Sequence, residues 1–144
     1  MSFILRVIHD LYTQAPHTLF VHFPIALVSA ALFFLLLALW KKSDLLEQIA
    51  FANMSLAAVS TVVAGIMGIR DNIVFFAGKA PNHTAKIILA IVLFAVTSIA
   101  AIIRWRNPRL FHSQGKALYI TAYFVSFGLV FVLGFLGGVI VYGF

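Results

Sequence analysis

The sequence predicts an all-α integral membrane protein: a four-helix bundle preceded by a short N-terminal interfacial helix. Three observations predict it. First, 63% of the residues are hydrophobic and 10% are charged, with a mean hydropathy of +1.09. A soluble domain is about 45–50% apolar and about 25% charged, and a chain of 144 residues cannot form a core large enough to hide the excess. Second, four apolar runs each approach the ~20 residues that a helix needs to cross ~30 Å of hydrocarbon. Third, these runs are continuous rather than alternating, and a helix then satisfies every backbone group in lipid. A single transmembrane domain covers residues 1–144.

The elements follow in order. In the opening segment, Phe3, Ile4, Val7, Ile8 and Leu11 share one helical face, and Arg6, His9 and Asp10 share the other. That pattern suits a helix lying in the membrane interface, the alternative being a partly ordered tail. The first span, about 18–40, ends at Lys41 and Lys42. Its apolar stretch is too long for a cleavable signal, and its positive charges follow rather than precede it. The second span is about 49–69. The third, about 84–103, follows Pro81 and Asn82, with Asn82 as the expected N-cap, and ends at Arg104, Trp105 and Arg106. The fourth is about 117–142. Short connections make consecutive helices antiparallel neighbours.

Charge sets the expected orientation. Lys41, Lys42, Arg104, Arg106, Arg109 and Lys116 fall at one membrane face, and Arg6, Arg70, Lys79 and Lys86 at the other. The richer face is read as cytoplasmic, which puts both termini and the 70–82 loop outside a bacterial cytoplasmic (inner) membrane. The net charge of +6 is then explained by basic residues meeting anionic lipid headgroups. No basic stretch interleaved with aromatics suggests a nucleic-acid surface.

The absence of cysteine excludes disulfides, covalent c-type haem attachment, thiolate-held iron–sulfur clusters and thiol catalysis. No phosphate loop or dinucleotide glycine pattern occurs. Ser29 is about two turns from His22, too far for a nucleophile and its base. The three apolar runs beyond the first contain no Asp or Glu within 49–69, 84–103 or 117–142, which weakens proton transport.

The histidines sort to one face. His9, His17 and His22 lie at the outer end of the first span and His83 at the outer end of the third, while His112 sits in a polar cytoplasmic loop and reads as solvated. His17 and His22 are about 140° apart around a helix. His22 shares its face with Ala26, Ser29 and Ala30, and small residues mark helix contacts in membranes, so His22 is expected to face the interior and His17 to be lateral. Gly65, Gly68, Gly134, Gly137 and Gly138 fall in the same outer halves. They read either as close packing or as room for a flat cofactor between helices.

Haem b suits the second reading. It takes axial histidines from facing helices of a bundle and an apolar slot. His22 and His83 are the candidate axial ligands to the metal, with His17 in reserve. Arg70 and Lys86 are placed for the propionates, and Gly65, Gly68, Gly134 and Gly138 for the slot. Asp71 is placed to accept an N–H from a ligand histidine. An ionisable residue inside a span is a functional hypothesis by default. Histidines at headgroup depth are also ordinary, which keeps a cofactor-free accessory subunit of a respiratory or photosynthetic complex as the alternative.

The chain also resembles a known family. His17 and His22 followed by Phe23, Pro24, Ile25, Ala26 and Leu27, the Gly68-to-Asp71 turn, His83 with Ala85, and Gly137, Gly138, Val141 and Tyr142 are similar to the bacterial membrane proteins catalogued as domain of unknown function 2231. The resemblance implies four helices and no assigned reaction. Some members accompany cytochrome-type redox partners, which implies haem and electron transfer. The chain departs from the pattern at Asn72, where an aromatic is common, and at its last residues, where a further histidine is common.

The sequence therefore reads as a haem b protein for electron transfer at the outer face, within a larger redox complex, rather than as a stand-alone enzyme. The expected partners are the lipid bilayer and other membrane or cytochrome subunits, with a quinone as a third class of occupant for the same pocket.

Overall fold

A computed structural model describes residues 17–80 and 82–142, and the side chains within 20–80 and 82–138. The expected N-terminal interfacial helix lies outside the described residues. Four helices run α1 His17–Lys41, α2 Asp44–Phe76, α3 His83–Arg106 and α4 Lys116–Tyr142, with a one-turn 3-10 helix, Leu110–His112, between the last two. All four are long and apolar enough to cross a membrane. Each packs against two neighbours in the ring α1–α2–α3–α4, so α1 and α3 are diagonal, as are α2 and α4.

Each helix buries one stripe. On α1 it is Pro24, Val28, Ala31, Leu35 and Ala38. On α2 it is Glu47, Ala50, Met54, Ala57, Thr61, Ala64 and Asp71. On α3 it is Leu93, Thr97, Ala100 and Arg104. On α4 it is Tyr119, Tyr123, Ser126 and Val130. Within each stripe the spacing alternates between three and four, the repeat that keeps one seam facing its neighbours. Hydrocarbon solvates leucine as well as protein does, so close approach must hold the helices, and the alanines of α1 and α2 permit it.

The second helix extends beyond the expected 49–69 at both ends. Ser43 caps its start, its Oγ accepting from the Leu46 N–H at 3.4 Å. At the far end the helix continues through the sequence read as a Gly68-to-Asp71 turn and stops at Ala77 (φ 48°) and Gly78 (φ 78°), where the Gly78 N–H donates to the Asn72 carbonyl. The loop is therefore 77–82, not 70–82. Asn72 Oδ1 accepts from the Ala80 N–H at 2.9 Å and ties that loop to α2. Asn82 is the N-cap of α3 as expected, but at φ 55° its side chain makes no capping bond.

The longer α2 changes the polar inventory. Glu47 and Asp71 are both in the helix and each 1% exposed, so the second membrane-spanning helix does contain buried acids. They stand about 36 Å apart at 1.5 Å per residue. At the Glu47 end, hereafter the arginine end, Arg104 donates to both carboxylate oxygens, Nε to Oε1 at 2.7 Å and Nη2 to Oε2 at 2.6 Å. The Tyr119 hydroxyl donates to Oε1 at 2.9 Å and shares a 2.7 Å hydrogen bond with the Tyr123 hydroxyl. This network joins α2, α3 and α4. The 3-10 turn closes the same end by burying Leu110 and Phe111 against Leu35, Met54 and Tyr123.

A second layer, Val28, Ala57, Leu93 and Val130, takes one side chain from each helix and forms an apolar plug at mid-depth. Beyond it, towards the starts of α1 and α3 (the histidine end), the buried stripes of α3 and α4 stop at Leu93 and Val130. Among the described residues the bundle is closed at the arginine end and open at the histidine end.

The glycines divide accordingly. Among the described residues a Cβ built on Gly65, Gly68 or Gly137 meets nothing within 4 Å beyond its own helix backbone, so these three do not serve close packing there. A Cβ on Gly134 makes an ordinary 3.5 Å contact with Ile25, and one on Gly115 lies 2.8 Å from Leu110 Cδ1.

Two predictions follow from this packing. Glu47→Ala leaves Arg104 buried without its acid and should cost about 3–5 kcal/mol, whereas Glu47→Leu with Arg104→Met should recover most of that. Denaturation in bicelles measures both. Gly65→Ala and Gly68→Ala should each stabilise α2 by about 0.5–1 kcal/mol, while Gly115→Ala should lower the melting temperature by pushing on Leu110.

Candidate functional site

The open end holds a cavity of about 800 Å³ lined by all four helices. That is within the ~300–1,000 Å³ of small-molecule sites. Its floor is the apolar plug, with Thr61, Leu93 and Val130 on the lining. Its polar groups, His22, Asp71, Asn72, His83 and Lys86, lie towards the histidine end.

Helical register explains which side chains arrive there. Counting back from Leu93 in steps of three and four reaches Ala90, Lys86 and His83, so the inward stripe of α3 carries His83 and Lys86 onto the cavity wall. On α4 the stripe continues past Val130 to Leu133 and Gly137, also on the lining. On α2 it continues from Ala64 to Gly68 and Asp71. On α1 it passes through Val21 and Pro24. His22 is one position to the side, and it lines the cavity while being exposed. Position 17 falls in the register of Val21 and Pro24. The His17 side chain lies outside the described residues.

Of the residues singled out in the sequence, the cavity brings together His22, His83, Lys86, Gly65, Gly68, Gly134 and Gly138. Arg70 is not on the lining. Its guanidinium bonds the Asp71 carboxylate at 3.1 Å, so the acid on the wall is held by a cation behind it. His22 and His83 come from diagonal helices and stand on one cavity. Neither is hydrogen-bonded to Asp71, so the expected N–H donation from a ligand histidine to that acid is not made by these two. Among the described residues there is no group of three or more His, Asp or Glu suited to a bare metal ion. Two imidazoles suit a group that brings the rest of its own ligand set.

Lys86 is half-buried on this wall, and its ammonium makes no hydrogen bond or ion pair among the described residues. The first turn of α3 carries no acid to neutralise it.

At the arginine end a smaller cavity of about 400 Å³ adjoins the Glu47–Arg104 pair and is lined by Asp44, Gln48, Arg109 and His112 among others. His112 is exposed, as expected of a loop residue, but it is not merely solvated: its Nε2 lies 2.6 Å from Asp44 Oδ1.

Sequence reasoning missed Glu47, Asn72, Tyr119 and Tyr123. The signal for Glu47 was present. Positions 47, 50, 54, 57, 61, 64, 68 and 71 form one three-and-four stripe, small residues apart from Met54, with an acid at each end. An acid on such a stripe belongs to the bundle rather than to the loop.

No curated protein and no solved structure matches the chain. Residues 14–144 match the family described as predicted membrane protein (DUF2231), and the chain belongs to that family.

Proposed function

We propose that this membrane protein binds haem b in the cavity at its histidine end and passes electrons as part of a larger redox complex. The observation that carries the reading is that His22 and His83, on diagonal helices, line one cavity. Diagonal helices supply ligands to opposite faces of a flat ring, which adjacent helices do less readily. Three further features support it. The volume suits a cofactor. Gly65, Gly68 and Gly137 leave open space where side chains would stand. Lys86 on the wall supplies a cation for a carboxylate. Haem bound there would supply a one-electron centre. The protein's own part is to hold the ring between two imidazoles and to keep water out from below with the Val28, Ala57, Leu93 and Val130 layer.

We place the histidine end outside a bacterial inner membrane. Six of the ten Lys and Arg residues lie at the arginine end, and Trp40 and Trp105 are exposed there at the depth of an interfacial belt. A reporter that is active only in the cytoplasm, fused after Phe144, should be silent; a strong signal would reverse the orientation.

The haem assignment predicts a reduced-minus-oxidised spectrum of b type from protein expressed with haem supplied. His22→Ala and His83→Ala should each remove it or convert six-coordinate iron to five-coordinate. Gly138→Leu should lower haem content by filling the slot. Loss in His17→Ala with retention in His22→Ala would move the α1 ligand to His17. No spectrum in the wild type would leave the cofactor-free accessory subunit as the reading.

A further inference from the structure

The cavity has a side opening as well as an end. Val62, Ile66 and Ile69 lie one or two turns apart on α2, and Ile91 and Phe94 face them from α3. All five line the cavity and all five are also exposed, Ile66 at 60% and Ile91 at 62%. Side chains that border both the cavity and the outer surface rim a slit. This slit lies between α2 and α3, within two membrane-spanning helices, so it opens on lipid. Its rim is branched aliphatic and aromatic, which suits passage of an apolar body and not of a hydrated solute.

Polarity inside the cavity is graded. Apolar side chains surround its deep part, and Asp71, Asn72, His83 and Lys86 stand near its end. Lys86 and Leu93 are seven residues apart, so the charged level lies about 10 Å above the floor. Asp71, the acid on the wall, bonds Arg70. Lys86 has no such counter-ion among the described residues, and an ammonium on an apolar wall attracts an anion.

We propose that the cavity takes up an anionic amphiphile from the bilayer, which enters between α2 and α3 and sets its charged head beside Lys86 with its apolar body above the plug. The inference goes beyond the haem assignment. It needs the slit and Lys86, not the two imidazoles. Haem, with carboxylates on an apolar ring, is one member of the class, and an acidic lipid is another.

The test uses haem-free full-length protein in phosphatidylcholine nanodiscs. The probes are three pyrene-labelled amphiphiles of equal chain length: a fatty acid, the matching alcohol and a lysophosphatidic acid. At least one anionic probe should bind tenfold or more tightly than the alcohol, and the tighter of the two distinguishes a carboxylate from a phosphate head. Lys86→Met should abolish that preference and leave alcohol binding unchanged, while Lys86→Arg should retain it. Ile66→Trp with Ile91→Trp should slow uptake of the anionic probe at least tenfold. Equal binding of acid and alcohol by the wild type, or a preference that survives in Lys86→Met of unchanged melting temperature, would overturn the assignment of the head. Unchanged uptake in the double tryptophan variant would overturn the route. Because the protein is haem-free, a missing b-type spectrum does not alter these outcomes.

Discussion

Glu47 and Arg104 sit 1% and 9% exposed at the arginine end of the bundle, each largely removed from water. Unpaired, either charge costs several kcal/mol, on the order found for buried ions that lose a partner. The two hydrogen bonds between them, with the Tyr119 hydroxyl as a third donor, fix how α2, α3 and α4 meet. Lipid gives little reward for burying one leucine against another. A directional polar contact is therefore an effective way to select one arrangement of four apolar helices from the many of similar packing energy. Among the described residues every buried side-chain nitrogen and oxygen has a partner, so this specificity leaves no stranded group.

That constraint at one end frees the other. Below the mid-depth layer the bundle is filled by Leu35, Met54, Phe111 and the two tyrosines, and the 3-10 turn seals it. Above the layer the same helices carry glycine at 65, 68 and 137, and among the described residues no side chain or neighbouring helix lies within 4 Å of where their Cβ atoms would be. A helix pays for glycine with backbone entropy, and close packing that might offset this is absent at these positions. The histidine end therefore gives up packing that the arginine end compensates, as expected where a cavity has a use.

Four spans were legible in the sequence because continuous apolar runs of the right length have few other solutions in lipid. The ends of α2 were not, because a hydropathy reading stops at the first charges. Asp44, Glu47, Arg70 and Asp71 look like loop residues until the register shows that Glu47 and Asp71 share a seam with three alanines, a threonine and a glycine. The convergence of His22, His83, Lys86 and the glycines on one end was also legible, from helix direction alone. The orientation of His22 was harder. Its face of Ala26, Ser29 and Ala30 suggested the interior, but the buried seam of α1 runs through Val28, Ala31 and Leu35, and His22 lies beside that seam and exposed. Small residues marked a neighbouring helix without marking the centre. The glycines could not be resolved from sequence, because close packing and open volume demand the same residue.

The slit between α2 and α3 follows from the same division. Tight neighbours need small residues on the seam, and α1 and α2 have them along most of their length. Towards the histidine end α2 and α3 instead carry Ile66, Ile69 and Ile91, large side chains that are exposed on the bundle surface. A short loop joins these helices at 77–82, and Asn72 holds it to α2. Arg104 holds them together at the opposite end through Glu47. The pair is thus tied at both ends and packed at mid-depth through Ala57 and Leu93, with the large exposed side chains between that layer and the loop. That geometry lets a side opening exist in a bundle whose fold does not depend on closing it.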